Sequence, residues 1–151
     1  MRSKFVLAST TLACLTLLVS NGQIARGDNQ HNHHSEHDHK TIEIPPGQPI
    51  PKVDLVVHKD SSKGWNLEAK VSNFRFAPEK INQAAKPGEG HGHIYINGQK
   101  ITRLYGSWYY LEKLQPGKNE ITVSLNANSH EALVHNGKVI QDTAIIDVPR
   151  D

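Results

Sequence analysis

His93-Ile94-Tyr95-Ile96-Asn97-Gly98 is the stretch that decides the fold class. Its β-branched and aromatic residues suit a pleated surface, and Asn-Gly is the pair that best tolerates positive φ at both centres of a type I′ hairpin turn. The sequence therefore predicts a strand ending at Ile96, with residues 101–104 pairing back as the second arm. Upstream, Val53-Asp54-Leu55-Val56-Val57 and Trp65-Asn66-Leu67-Glu68-Ala69-Lys70-Val71 are further strands, and the second shows the period of two expected of a half-buried strand. Downstream, Pro116-Gly117 marks a turn, and Glu120-Ile121-Thr122-Val123-Ser124-Leu125 alternates until Asn126 and Asn128 interrupt it. Residues 131–135 and 138–140 flank a second Asn-Gly pair, Asn136-Gly137, and residues 143–148 form a last strand before Pro149. Only Pro78-Glu79-Lys80-Ile81 suggests a helical turn. About seven strands at this spacing predict an all-β domain over residues 53–151, an antiparallel β-sandwich of immunoglobulin-like or cupredoxin-like kind.

The remainder of the 151-residue chain differs in composition. Arg2 and Lys4 precede an apolar run over residues 5–19, after which Ser20, Asn21 and Gly22 restore polarity, the pattern of a secretory signal peptide. That run is short for a bilayer span, and small residues permit cleavage after Gly22 or Gly27. Residues 1–27 are thus expected to be a signal, leaving a periplasmic or extracellular protein with no stable membrane span. Cys14 opens a lipoprotein alternative that its surroundings, Thr11-Leu12-Ala13 before and more apolar residues after, fit poorly. Residues 28–52 are polar, then rich in proline, and are expected to form a disordered tail and stiff linker because they hold too little apolar surface to offset chain entropy.

Removing residues 1–27 takes away Arg2, Lys4 and Arg26, so 17 basic and 15 acidic side chains become 14 and 15. A chain so near neutrality has no broad positive field for phosphate backbones, which argues against nucleic acid as a partner. The same cut removes the one cysteine and the one methionine, excluding disulfides and sulfur ligands from the mature chain.

The segments Asn73-Phe74-Arg75-Phe76-Ala77-Pro78, Gly88-Glu89-Gly90-His91-Gly92-His93-Ile94-Tyr95-Ile96-Asn97-Gly98, Leu114-Gln115-Pro116-Gly117 and Leu125-Asn126-Ala127-Asn128-Ser129-His130 resemble small exported bacterial β-sandwich domains, mostly of unassigned function. The resemblance covers most of residues 65–148 and implies an immunoglobulin-like or cupredoxin-like fold and an exported location. A blue-copper centre needs a cysteine thiolate, which the mature chain lacks. Copper-zinc superoxide dismutase also carries a His-x-His strand in a β-sandwich, but the rest of its ligand set and its disulfide are not recognisable here.

Residues two apart on a strand project from one face, so His91 and His93 point together, with Gly92 between them. In an immunoglobulin topology the strand starting at His91 lies antiparallel to the one ending near Asn126, which brings His130 beside the pair. His91, His93 and His130 are therefore expected to form an open metal site at one pole of the sandwich. Nitrogen donors without sulfur favour Cu(II), Zn(II) or Ni(II). The competing structural role is hydrogen bonding at a tight loop-to-strand transition. His135 is a substitute ligand that the Asn136-Gly137 turn should carry away, and His58 is expected in an exposed loop.

A second cluster, His31, His33, His34, His37 and His39, is interleaved with Glu36 and Asp38 on the tail. Flexible imidazole and carboxylate donors suit weak, exchangeable binding of copper, zinc or nickel, and the α-amino group released by cleavage lies close by. Trp108, Tyr109 and Tyr110, with Tyr105 and Arg103, are expected mostly to pack as core or sheet cover; the other possibility is a docking surface. No nucleophile elbow, phosphate loop, carboxylate pair or zinc-protease motif is present, so no enzyme activity is expected. The expected function is an exported binder of Cu(II) or Zn(II) for storage, delivery or resistance, whose partners are metal ions and an envelope metal-transport or assembly protein. Its rival is an adhesion or interaction module with incidental histidines.

Overall fold

A computed structural model describes residues 40–150. The expected signal peptide and the tail histidines His31, His33, His34, His37 and His39 lie outside the described residues. The strands are β1 (Thr41–Glu43), β2 (Lys52–Lys59), β3 (Trp65–Ser72), β4 (Arg75–Phe76), β5 (Glu89–Ile96), β6 (Gln99–Leu104), β7 (Trp108–Leu111), β8 (Gly117–Ala127), β9 (Ala132–His135), β10 (Lys138–Val139) and β11 (Gln141–Val148). Among the described residues no helix is long and apolar enough to cross a membrane.

Two sheets pack face to face, the sandwich that the alternating segments predict. The smaller orders its strands β2-β3-β7. In the larger, β5 lies antiparallel to β8 along one edge and carries β4 and then β6 along the other. The far edge of β8 pairs with β11 up to Ser124 and with β9 at Asn126. This β2-β3-β7 sheet against β6-β5-β8-β11 follows the A-B-E and C′-C-F-G order of an immunoglobulin-like sandwich.

The core follows from the period of two. Leu55, Leu67 and Ala69 from the small sheet meet Ile94, Leu104, Ile121 and Val123 from the large one. Each large aliphatic side chain buried in this way contributes roughly 1.5–3 kcal/mol. Both Asn-Gly pairs take positive φ, 51° and 79° at Asn97 and Gly98 and 52° and 71° at Asn136 and Gly137, as their hairpin turns require. The helical turn at Pro78 is a 3-10 turn, Pro78–Lys80.

The structure differs from the expectation in three respects. There are eleven strands among the described residues, not about seven, because β1, β4 and β10 are only two or three residues long and leave little periodicity to read. The aromatic run at Trp108 is itself a strand, β7, with Tyr109 packed on the core while Trp108 is 58% and Tyr110 49% exposed. The domain also begins before residue 53. β1 pairs in parallel with β9, and Ile44 packs with Leu125, Ala127 and Leu133 in a second core cluster, so the proline-rich stretch from Thr41 is folded onto the sandwich.

Candidate metal centre

Strand alternation places the histidines. Ile94 is wholly buried in the core between the sheets, so its neighbours His93 and Tyr95, and with them His91, project from the opposite, outer face of the large sheet. Across the β5–β8 register His91 stands opposite Asn126 and His93 opposite Ser124, and across the β5–β6 register His93 stands opposite Arg103 and Tyr95 opposite Lys100. His91 and His93 are nevertheless 0% and 5% exposed, since the rings of Tyr105 and His130 approach His91, with centroids at 5.9 and 5.2 Å, and Tyr95 and Lys100 approach His93.

The expected trio comes together. His91, His93 and His130 each offer one ligand nitrogen, and these atoms lie within 4.8 Å of one another, an arrangement that can hold a metal ion. The site lies on the outer face of the sheet, near the start of β5, instead of at an open pole, because the parity of β5 aims His91 and His93 away from the core and the turn after β8 brings His130 beside them. His91 Nε2 and His93 Nε2 are 3.0 Å apart.

His130 arrives from the turn after β8. Its φ of +83° is a left-handed conformation that costs a non-glycine residue of the order of 1–3 kcal/mol. The turn is fixed by hydrogen bonds from His130 N to the Ala127 carbonyl at 2.9 Å and from Asn126 Nδ2 to the His130 carbonyl at 3.3 Å. His130 Nε2 donates to Asn82 Oδ1 at 2.6 Å. That bond puts the proton on Nε2 and leaves the lone pair on Nδ1, which is buried and has no hydrogen-bond partner. His91 Nδ1 is likewise buried without a partner. A buried imidazole nitrogen with no partner, such as His130 Nδ1 beside two further imidazoles, is available to a ligand.

Burial above all, then neighbouring positive charge, lowers the pKa of His91 to about 4 and of His93 to about 3, and lowers that of His130 as well. All three rings are therefore neutral near pH 7, the form that ligates metal. Lys100 Nζ lies 3.0 Å from His93 Nε2, and Arg103 Nη1 donates to Tyr105 Oη at 3.3 Å. These cations oppose a bare metal ion. At an effective dielectric constant of 20, a divalent ion about 5 Å from one ammonium is repelled by roughly 7 kcal/mol.

The other histidines are elsewhere. His135, at the end of β9, has Nδ1 3.8 Å from Glu43 Oε1 and Nε2 3.2 Å from Asn136 Nδ2, turned away by the hairpin as the sequence suggests. His58 lies within β2, not in a loop; its Nε2 is 2.9 Å from Glu68 Oε2 and its ring lies tilted against Trp108, with centroids 5.5 Å apart. Sequence reasoning missed Asn82 and Lys100. Asn82 sits in an irregular loop with no periodicity to place it, whereas the Asn97-Gly98 turn by itself sets Lys100 opposite Tyr95, since the register shift lies beyond that pair.

Comparisons of the chain with family models, with curated proteins and with solved structures give no match, so it is the geometry of this centre that any functional reading must rest on.

Proposed function

We propose that the chain is an exported, non-catalytic metal-binding protein, for Cu(II) or Zn(II), that takes up its ion at His91, His93 and His130 and serves storage, delivery or resistance. The observation that carries this is the convergence of three neutral histidines, two with buried, unpartnered ring nitrogens. Nitrogen donors without sulfur suit Cu(II) and Zn(II) alike. The signal-like residues 1–27 support delivery to the periplasm or the cell exterior, and the tail histidines His31, His33, His34, His37 and His39 support a weaker, exchangeable store. An envelope metal-transport or assembly protein is the proposed partner.

The test is calorimetric titration of Cu(II) and Zn(II) into residues 28–151 and into a chain starting at Lys40. One tight site that survives loss of the tail and disappears in His91→Ala/His93→Ala supports the proposal. Binding that vanishes with the tail, or that is unchanged in the double variant, defeats it. The exposed Trp108 and Tyr110, with His58 against Trp108, favour the rival interaction module, which predicts neither stoichiometric metal nor thermal stabilisation by it.

A further inference from the structure

We infer that the three-histidine centre takes its cation together with a small anion, which Lys100 and Arg103 hold against the open side of the ion; this rests on the metal-binding reading above. Three neutral imidazoles leave both charges of a divalent ion uncompensated, and the cluster among the described residues is of histidine alone. Three protein ligands also leave a coordination position to be filled from outside. Two cationic side chains stand beside the histidine pair on β5. Lys100 approaches the ligand nitrogen of His93 itself, and Arg103 stands opposite His93 on β6, bonded to the Tyr105 that covers His91.

A metal ion alone would face two like charges. An anion bound to the ion and lying between it and those side chains attracts both and so offsets the repulsion between them, and an exposed ammonium and guanidinium are suited to recognise it. The surroundings fit a small polar guest. A cleft lined by Tyr95, Ser124, Asn126, His130, Val139 and Gln141 opens at the same face, offering hydroxyl and amide donors. Lys100 and Arg103 are both solvent-exposed, which leaves the guest a route in. The ligand class is a small monoanion, a carboxylate or an inorganic ion, that donates through one atom.

The experiment loads the full mature chain with Cu(II) in an anion-poor buffer and titrates it with azide, followed by its charge-transfer absorption, and with formate, followed by electron paramagnetic resonance. Lys100→Gln/Arg103→Gln should weaken anion binding at least about tenfold while Cu(II) affinity without added anion stays the same or rises. Lys100→Arg and Arg103→Lys, which keep the charge, should remain within about threefold of the wild type and control for damage to the hairpin. Binding of azide alone assigns the position to inorganic ions, and binding of both includes carboxylates; either supports the inference when it shows that charge dependence. Cu(II) uptake with no anion binding, or with equal anion binding by the wild type and the double variant, overturns this inference and leaves the metal site standing. No Cu(II) uptake overturns both.

Discussion

Asn82 Oδ1 accepts a hydrogen bond from His130 Nε2 at 2.6 Å across 48 positions of sequence, and the same loop is tied to the His130 turn by a bond from Asn82 N to the Asn128 carbonyl at 2.9 Å. The backbone bond holds the two loops together, while the side chain selects the tautomer that points a lone pair into the cluster. The two functions are separable because only one of them needs the amide group.

Asn82→Ala should therefore keep the fold, at about 1–2 kcal/mol for alanine at the φ of +66° that Asn82 adopts, but lower metal affinity by roughly 10–100-fold, the usual cost of removing the partner that orients a ligating imidazole. Competition with a chelator of known affinity measures it. An Asn82→Ala protein that holds its metal as tightly as the wild type would show that Asn82 only packs the loop.

The two glycines flanking His91 should respond differently. A Cβ on Gly90 would run into the Asn126 backbone carbonyl, which cannot swing aside, so β5 and β8 must separate beside the His91 position. A Cβ on Gly92 meets Leu104 Cβ at 3.1 Å, a shortfall of a few tenths of an ångström that a small shift of β6 would absorb. Gly90→Ala is expected to cost about 3–5 kcal/mol and Gly92→Ala about 1–2 kcal/mol by urea denaturation. Equal costs would mean that the close approach of β5 and β8 is not what requires glycine.

Acid should loosen the metal-free protein well above the carboxylate range. His91 and His93 are held at about 4 and about 3 in the folded chain, against 6.5 ordinarily. As pH falls below 6.5 the unfolded chain takes up protons that the folded one refuses, so stability declines toward pH 4. A His91→Gln/His93→Gln variant should lose less between about pH 6.5 and pH 4.5, as read from denaturation midpoints across that window. Parallel profiles for the two proteins would contradict the burial of neutral imidazoles.

Much of this fold is legible because its signals are local. The Asn-Gly pairs name their own turns, and the alternation in β3 and β8 names its own face. The His91–His93 pair is legible for the same reason, since parity alone aligns them, and His130 follows once β5 and β8 are taken as neighbours. What escaped depends on distant pairing. β1 is three residues whose stability comes from β9, and nothing in Thr41-Ile42-Glu43 announces a parallel partner ninety positions away. The location of the centre escaped as well. It depends on which face of β5 the core claims, and Ile94, not the histidines, decides that.

The parallel pairing of β1 carries a consequence for the tail. The Lys40 carbonyl accepts a bond from Ala132 N at 3.0 Å, two residues beyond His130. His39 is adjacent to Lys40 in sequence, and His31 is nine residues from it, at most about 30 Å of chain even when fully extended. Under the proposed function, an ion released by the tail and taken up by the domain would move within one molecule, at a rate that does not depend on how dilute the protein is, with the tail as a leash setting the local concentration of metal at its own receiver.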